Sequence, residues 1–310
     1  MLCEQGLAVS PRSYRSWKAT TVVCDRVVGD TRIVEVFRGL KTGGPEGRPR
    51  PEVLYGRRKM TDWLRRNGFP DIGKRTVDRL MRQENMYGCV RGAQTRTTIG
   101  AKAGADAVRA KDLPKRDFHT DAPNRAWVTD FTYVPTWAGF VYVAFAIDLF
   151  SRMVVGWSIS KIKDVTFVEQ CLKMPLWRRD HHQRPIPVGM VHHCDAGSQD
   201  TSIRFTETLA LEGLSASIGT VGDALDNAAA ESFMGLYNNE AIRGDSPFRR
   251  GPLRELADVE TLTINYVHWY CHERLHSLLG NIPPEEHEQA FYASHPPPPQ
   301  GPGPSSTAVA

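Results

Sequence analysis

The sequence predicts an α/β protein in which a small all-α helix-turn-helix unit precedes a mixed five-stranded sheet flanked by helices. Three observations carry that prediction. Between residues 52 and 92, two short apolar stripes at helical spacing flank a glycine-containing turn. At Ala126 the apolar period becomes strand-like and stays so through three closely spaced segments. Beyond them helical and strand-like patterns alternate, which sets helices against the faces of a sheet.

A chain of 310 residues accommodates two or three domains, and its 41% apolar and 24% charged content is that of a soluble globular protein. No run of about 18 apolar residues occurs, so neither a transmembrane helix nor a membrane partner is expected. Met1-Leu2-Cys3-Glu4-Gln5-Gly6 has no basic stretch leading into an apolar one, so no signal peptide is expected. Six cysteines without a C-x-x-C pair fit reduced thiols in a cytosol. The formal charge of +4 is uneven: Arg48 to Asp117 carries 18 Lys/Arg against 8 Asp/Glu, a net of +10, which leaves −6 for the remainder. A basic segment beside a mildly acidic body points to a polyanion-binding module.

Residues 1–50 read as an N-terminal helical or linker segment with little signal. Ser10-Pro11-Arg12-Ser13-Tyr14-Arg15-Ser16-Trp17 caps and opens a short basic helix, and residues 43–51 form a Gly/Pro-dense linker. In residues 52–92, Met60, Trp63 and Leu64 make the first stripe, and Val77, Leu80 and Met81 the second. Arg75, Arg79 and Arg82 at i, i+4, i+7 form a separate basic stripe on the second helix. A solvated basic helix is the plain alternative; the matched apolar stripes favour a DNA-binding helix-turn-helix. Residues 93–120 read as a basic linker lying along phosphates.

The larger unit occupies residues 121–290. Its strands are expected at 127–134, 140–148 and 153–159, with a turn at Thr136-Trp137-Ala138-Gly139, and short connections make them an antiparallel meander. Residues 164–177 read as a helix with Phe167, Val168, Cys171 and Leu172 on one face. A buried-type strand at 188–193, a helix at 201–211 and a short strand at 214–218 follow. Asp226 and Asn227 then cap a helix that runs through Ala228-Ala229-Ala230-Glu231. Leu253, Leu256, Val259, Thr263, Tyr266 and Tyr270 form a packing stripe on a later helix. Residues 291–310 read as a disordered Pro-rich tail.

Three carboxylates stand out by position. Asp130 interrupts a strand, on the side of Val128 and Val134, where a charge is costly unless paired or metal-bound. Asp195 follows the fourth strand at its C-terminal end, where open α/β sheets bind ligands. Glu231 lies on an alanine-rich helix with small neighbours. Together they offer hard oxygen ligands for Mg²⁺ or Mn²⁺, and two such ions suit phosphoryl transfer. Taken singly, Asp130 reads equally as a paired core carboxylate, Asp195 as a turn residue and Glu231 as a surface charge.

Trp127-Val128-Thr129-Asp130-Phe131-Thr132-Tyr133, His193-Cys194-Asp195-Ala196-Gly197-Ser198-Gln199 and Asp226-Asn227-Ala228-Ala229-Ala230-Glu231-Ser232 resemble the three DDE blocks of bacterial insertion-sequence transposases, with 35 residues between Asp195 and Glu231. The resemblance is to the OrfB-type product of two-frame elements, whose core is similar to retroviral integrase. Residues 269–280 resemble the closing motif, and Tyr55-Gly56-Arg57-Arg58 with the helices after it resembles the helix-turn-helix. The resemblance implies an RNase H-like fold, a catalytic and metal-binding triad of Asp130, Asp195 and Glu231, and two Mg²⁺ or Mn²⁺ ions. It further implies double-stranded DNA as substrate, both as element ends and as target. An OrfA segment or fusion and further copies of the chain are the other implied partners, in a bacterial cytoplasm and close to the nucleoid. DNA contacts are expected from Arg57, Arg58, Arg75, Arg79, Arg82 and position 238. The family usually carries Lys or Arg seven residues after the glutamate, where this chain has Asn238; a tyrosine is usual at Asp200 and a basic residue near Met153. A DNA-binding remnant or regulator, or a structure-selective nuclease of the same superfamily, are the alternative readings.

His268, Cys271, His272 and His276 have helical spacing that suits metal ligands, but they fall inside the closing motif and are read as structural. Cys194 has no evident base beside it for nucleophilic work.

Overall fold

The computed structural model describes residues 10–19, 23–89, 120–181, 184, 186–194, 215–218 and 228–295. It divides into two compact units, Met1–Gly88 and Cys89–Ala310. Among the described residues no helix is long and apolar enough to cross a membrane.

The first unit is helical. In α1 (Pro11–Ala19) the Ser13 N–H donates to Ser10 Oγ at 3.1 Å, the expected serine cap. The sequence reading missed α2 (Asp25–Thr42), which buries Ile33, Val34, Phe37 and Leu40 along one stripe. Its start carries no local signal, because Cys24 at the N-cap makes no side-chain hydrogen bond. The two expected helices are α3 (Arg57–Arg66) and α4 (Lys74–Gln83), which bury Met60 and Leu64 against Val77, Leu80 and Met81. Thr61 rather than Trp63 completes the α3 stripe, its hydroxyl satisfied by Arg57 O at 2.7 Å. The Gly/Pro stretch before them folds back on α2, with the Arg50 N–H donating to Leu40 O at 2.7 Å.

The second unit is built on a five-stranded sheet in the order β3-β2-β1-β4-β5. β1 (Ala126–Thr136), β2 (Gly139–Asp148) and β3 (Val154–Ser160) form the expected meander, and β4 (Val191–Cys194) and β5 (Ser215–Ile218) extend it in parallel from β1. The fourth strand starts later than the sequence reading placed it. Val188 is exposed and Gly189 has φ +81, so these residues turn, and the ladder begins at Val191.

Helix α5 (Val165–His181) covers one face of the sheet, and α6 (Ala228–Tyr237) with α7 (Leu256–His272) covers the other. The expected helix at 201–211, and residues 90–119 and 296–310, lie outside the described residues. The chain closes on α8 (Pro284–Ser294), which runs into the stretch read as tail. Buried Glu288 on α8 pairs with buried Arg179 of α5, and Glu285 pairs with Arg184 at 2.8 Å.

Pro175 sits inside α5 and has no N–H for the carbonyl of Cys171, four residues back. That carbonyl faces Gly156 of β3. A Cβ on Gly156 would meet it and would stand 2.6 Å from Pro175 Cδ, both too close to fit. Gly156→Ala is therefore expected to destabilise the chain by about 1–3 kcal/mol. A thermal melt checks this as a lower melting temperature.

His192 is buried on the α5 face, and its Nε2 lies 2.8 Å from Thr129 Oγ1. Burial, and then the neighbouring His193, pull its pKa down to about 3. In the unfolded chain it titrates near about 6.5. Above that value the ring is neutral in both states. Below it only the unfolded chain takes up the proton, so the native state loses about 2 kcal/mol between pH 7 and 5. Urea midpoints should fall over that range in the wild type and fall less in His192→Gln.

Candidate active site

Asp130 lies half-buried on the central strand, paired directly opposite Phe145 of β2. Opposed residues of an antiparallel pair share a face, so Phe145 marks the face of Asp130. The Phe145 ring packs edge-on against Phe233 and Tyr237 of α6, each at 4.9 Å between centroids. Helix α6 therefore lies on the Asp130 face of the sheet. It turns Ala230, Phe233, Met234 and Tyr237 inward and leaves Glu231 and Ser232 exposed along its flank.

That flank meets β1. Asn238 stands two turns beyond Glu231, and its Nδ2 donates to Thr132 Oγ1 at 3.3 Å. Thr132 is two residues from Asp130 and on the same side of the strand. Asp130 Oδ1 accepts the Phe131 N–H at 2.8 Å, which orients its carboxylate. The third carboxylate, Asp195, lies outside the described residues, as do Asp200, Asp226 and Asn227. The ladder carries β4 to Cys194 beside Thr129, one residue short of Asp195 on one strand and of Asp130 on the other.

After α6 the helix widens into a single π turn, Asn238–Ile242, a form common at functional sites. A buried polar network holds it. Arg274 donates to both oxygens of Glu240 at 2.6 and 2.8 Å, and Tyr266 OH donates to the same carboxylate at 3.0 Å. Burial works against the charge on Arg274, but Glu240 outweighs it and raises the guanidinium pKa. Tyr237 OH, at the end of α6, lies 2.7 Å from Thr263 Oγ1 of α7. The sequence reading missed Glu240 and Arg274 as a pair, because 34 residues separate them and neither has a local partner.

Other candidates resolve as structure. Asp148 is buried at the end of β2, and its oxygens accept the Asn124 N–H (2.8 Å) and the Ser151 N–H and hydroxyl (both 2.7 Å). Burial pushes the Cys271 thiol up to about 12, and its S–H donates to Val154 O, so it is a protonated core residue rather than a zinc ligand. No group of three His, Cys, Asp or Glu placed to hold a metal occurs among the described residues. Asp130 and Glu231 offer carboxylate oxygens, a donor set that fits a hard divalent ion.

In the first unit Arg57, Arg58, Arg75, Arg79 and Arg82 are all exposed. They are not equivalent. Arg79 Nη2 donates to both oxygens of Asp30 on α2 at 2.8 Å, while Asp78 lies 2.9 Å from Arg82 and 3.5 Å from Arg57. The stripe that periodicity drew as uniform is thus partly paired within its own unit.

An RNase H-like mixed sheet with a carboxylate on its central strand, in a chain that also carries a helix-turn-helix, is the frame of the integrase-type polynucleotidyl transferases, and the family matches assign the class that a fold by itself does not. Integrase core domain models match residues 120–224 and 212–284, and an HTH-like domain model matches residues 33–94. The chain is 42% identical to the transposase of insertion sequence element IS986/IS6110 from Mycobacterium tuberculosis, over 77% of this chain and 83% of that protein. It is 44% identical to the transposase of IS629 from Shigella sonnei, over 78% of this chain and 76% of that protein. The solved catalytic core of BIV integrase is 16% identical, with a TM-score of 0.39 over 56% of this chain and 98% of that one. The chain belongs to the DDE transposases of bacterial insertion sequences.

Proposed function

We propose that this transposase cleaves insertion-sequence ends and joins them to target DNA through Asp130, Asp195 and Glu231, which hold two divalent ions, Mg²⁺ or Mn²⁺. The observation that carries this reading is the meeting of the Asp130 face of β1 with the Glu231 flank of α6 at the Asn238–Thr132 hydrogen bond. When bound, the ions supply Lewis acidity toward the attacking and leaving oxygens. The chain contributes placement: Asp130 from a strand held on both sides, and Glu231 from a helix anchored by aromatic packing. Attack of water on the end phosphodiester releases a 3′-OH. Attack of that 3′-OH on a target phosphodiester forms the joint as the target's own 3′ oxygen leaves. Each step exchanges one P–O bond for another, and because the nucleophile is water or a DNA 3′-OH, no covalent protein–DNA intermediate forms.

Arg57, Arg58, Arg75, Arg79 and Arg82 hold double-stranded DNA, with residues 93–120 along the phosphates, and binding weakens steeply with salt. An upstream OrfA segment and further copies of the chain complete end recognition. The test is Mg²⁺-dependent joining of a pre-cut oligonucleotide, with and without OrfA. Hydrolysis without joining would make the chain a nuclease, and no reaction in either setting would leave a DNA-binding remnant.

One observation favours the remnant as the second reading: Asn238 stands where the family usually places a cation, and its amide is turned onto Thr132. Asn238→Lys adds one phosphate-directed charge. It should steepen the fall of log K with log salt by about 1 and raise joining. Unchanged salt dependence would show that position 238 does not face DNA.

A further inference from the structure

We infer that the tip of the β1–β2 hairpin, together with the arginine loop before α7, is a second DNA-contact surface on the catalytic unit, one that grips DNA flanking the reacting phosphodiester. The inference rests on the transposase reading of the preceding subsection. Three aromatic side chains are exposed there: Trp137 at 74%, Phe140 at 58% and Tyr133 at 57%. Tyr133 and Phe140 pack edge-to-face at 5.5 Å on the hairpin face opposite Asp130, so the turn residue Trp137 is the aromatic that DNA coming from Asp130 would meet. Single exposed aromatics are ordinary, but Trp137 stands on a rigid scaffold with a guanidinium over its ring.

The scaffold is rigid because the tip is pinned. The N–H groups of Trp137 and Ala138 donate to Leu253 O (3.1 Å) and Arg254 O (2.9 Å). The loop Arg249-Arg250-Gly251-Pro252-Leu253-Arg254 therefore lies against the hairpin, and it carries three arginines. Arg249 holds the loop by donating to Gly251 O and Ile242 O. Arg254 lies over the Trp137 ring, 5.4 Å from its centroid. Arg250 and Arg254 are exposed beside a cleft of about 430 Å³ that also includes Pro252, Leu253 and Asp258. The acids beside the cleft are engaged locally. Asp258 accepts the N–H groups of Arg254 and Glu255, and Glu255 completes the capping box of α7.

Aromatic faces beside guanidinium groups suit bases and phosphates, and the three arginines of the loop favour a polyanion as the occupant. The distance also fits. A strand rises about 3.3 Å per residue, which puts Trp137 about 23 Å along the strand direction from Asp130. A DNA strand rises about 3.4 Å per nucleotide, so DNA running from Asp130 along the strand would reach the tip after about seven nucleotides.

Anisotropy of a fluorescein-labelled duplex oligonucleotide with a frayed end, titrated with salt against the full-length chain, tests this. Trp137→Ala is expected to weaken binding about tenfold through lost stacking. Trp137→Phe should retain most of the affinity. The double variant Arg250→Ala/Arg254→Ala should reduce the salt slope by about 2. Variants that match the wild type in affinity and slope would overturn the inference. So would an effect confined to oligomeric state in light scattering, which would assign the tip to a second copy of the chain. Wild type that joins DNA while the variants bind normally sinks this inference alone. Wild type that neither binds nor joins DNA sinks the transposase reading with it.

Discussion

Asp195→Asn is expected to cut joining of a pre-cut oligonucleotide by roughly a thousandfold, about 4 kcal/mol of transition-state stabilisation. Glu231→Gln should do the same. Both substitutions keep side-chain shape and remove the charge that, in the proposed site, would hold a divalent ion. Glu231 is exposed on α6, so its neutralisation leaves the packing of Ala230, Phe233 and Tyr237 untouched. The melting temperature of Glu231→Gln should therefore match the wild type. Single-turnover joining across a Mg²⁺ titration separates the possibilities. If Asp195→Asn joins DNA at the wild-type rate, the triad is wrongly assigned. If Asp130→Asn alone loses stability along with activity, the strand carboxylate has a structural share as well.

The second large effect is on folding. Arg274→Met leaves the Glu240 carboxylate buried without its cation. A broken buried pair of this kind costs about 3–5 kcal/mol. The loss should reach further than α7, because Glu240 sits in the π turn that continues α6. Replacing both partners, Glu240→Leu with Arg274→Met, removes the uncompensated charge and should recover much of the stability. Urea denaturation of the two single variants and the double variant measures this directly. A double variant as unstable as Arg274→Met would show that packing rather than charge pairing governs the site.

The amount legible in the sequence differed from element to element, for physical reasons. The β1–β2–β3 meander was readable because β-branched and aromatic residues alternate and the turns between the strands are short. α3 and α4 were readable because their buried residues recur every three or four positions. α2 was overlooked for want of a capping side chain, although Ile33, Val34, Phe37 and Leu40 follow the same spacing. The fourth strand was begun too early because Val188 looks apolar and only the turn at Gly189 shows that it faces solvent.

For the site, local sequence marked Asp130, Asp195 and Glu231 but left each with a plain structural reading, and the resemblance to the three DDE blocks is what singled them out. A carboxylate inside a strand, at a strand end or among alanines is a local anomaly. The sequence by itself thus determined the types of the meander strands and of α3 to α7, the basic character of the first unit and the candidate carboxylates. The tertiary structure alone decided which face of β1 meets α6, that Asn238 closes on Thr132, and that Glu240 and Arg274 form one buried pair. It also decided that Arg79 is held by Asp30. Periodicity reports which side of an element is buried, but not what is buried against it, and each of these contacts joins residues far apart in the chain.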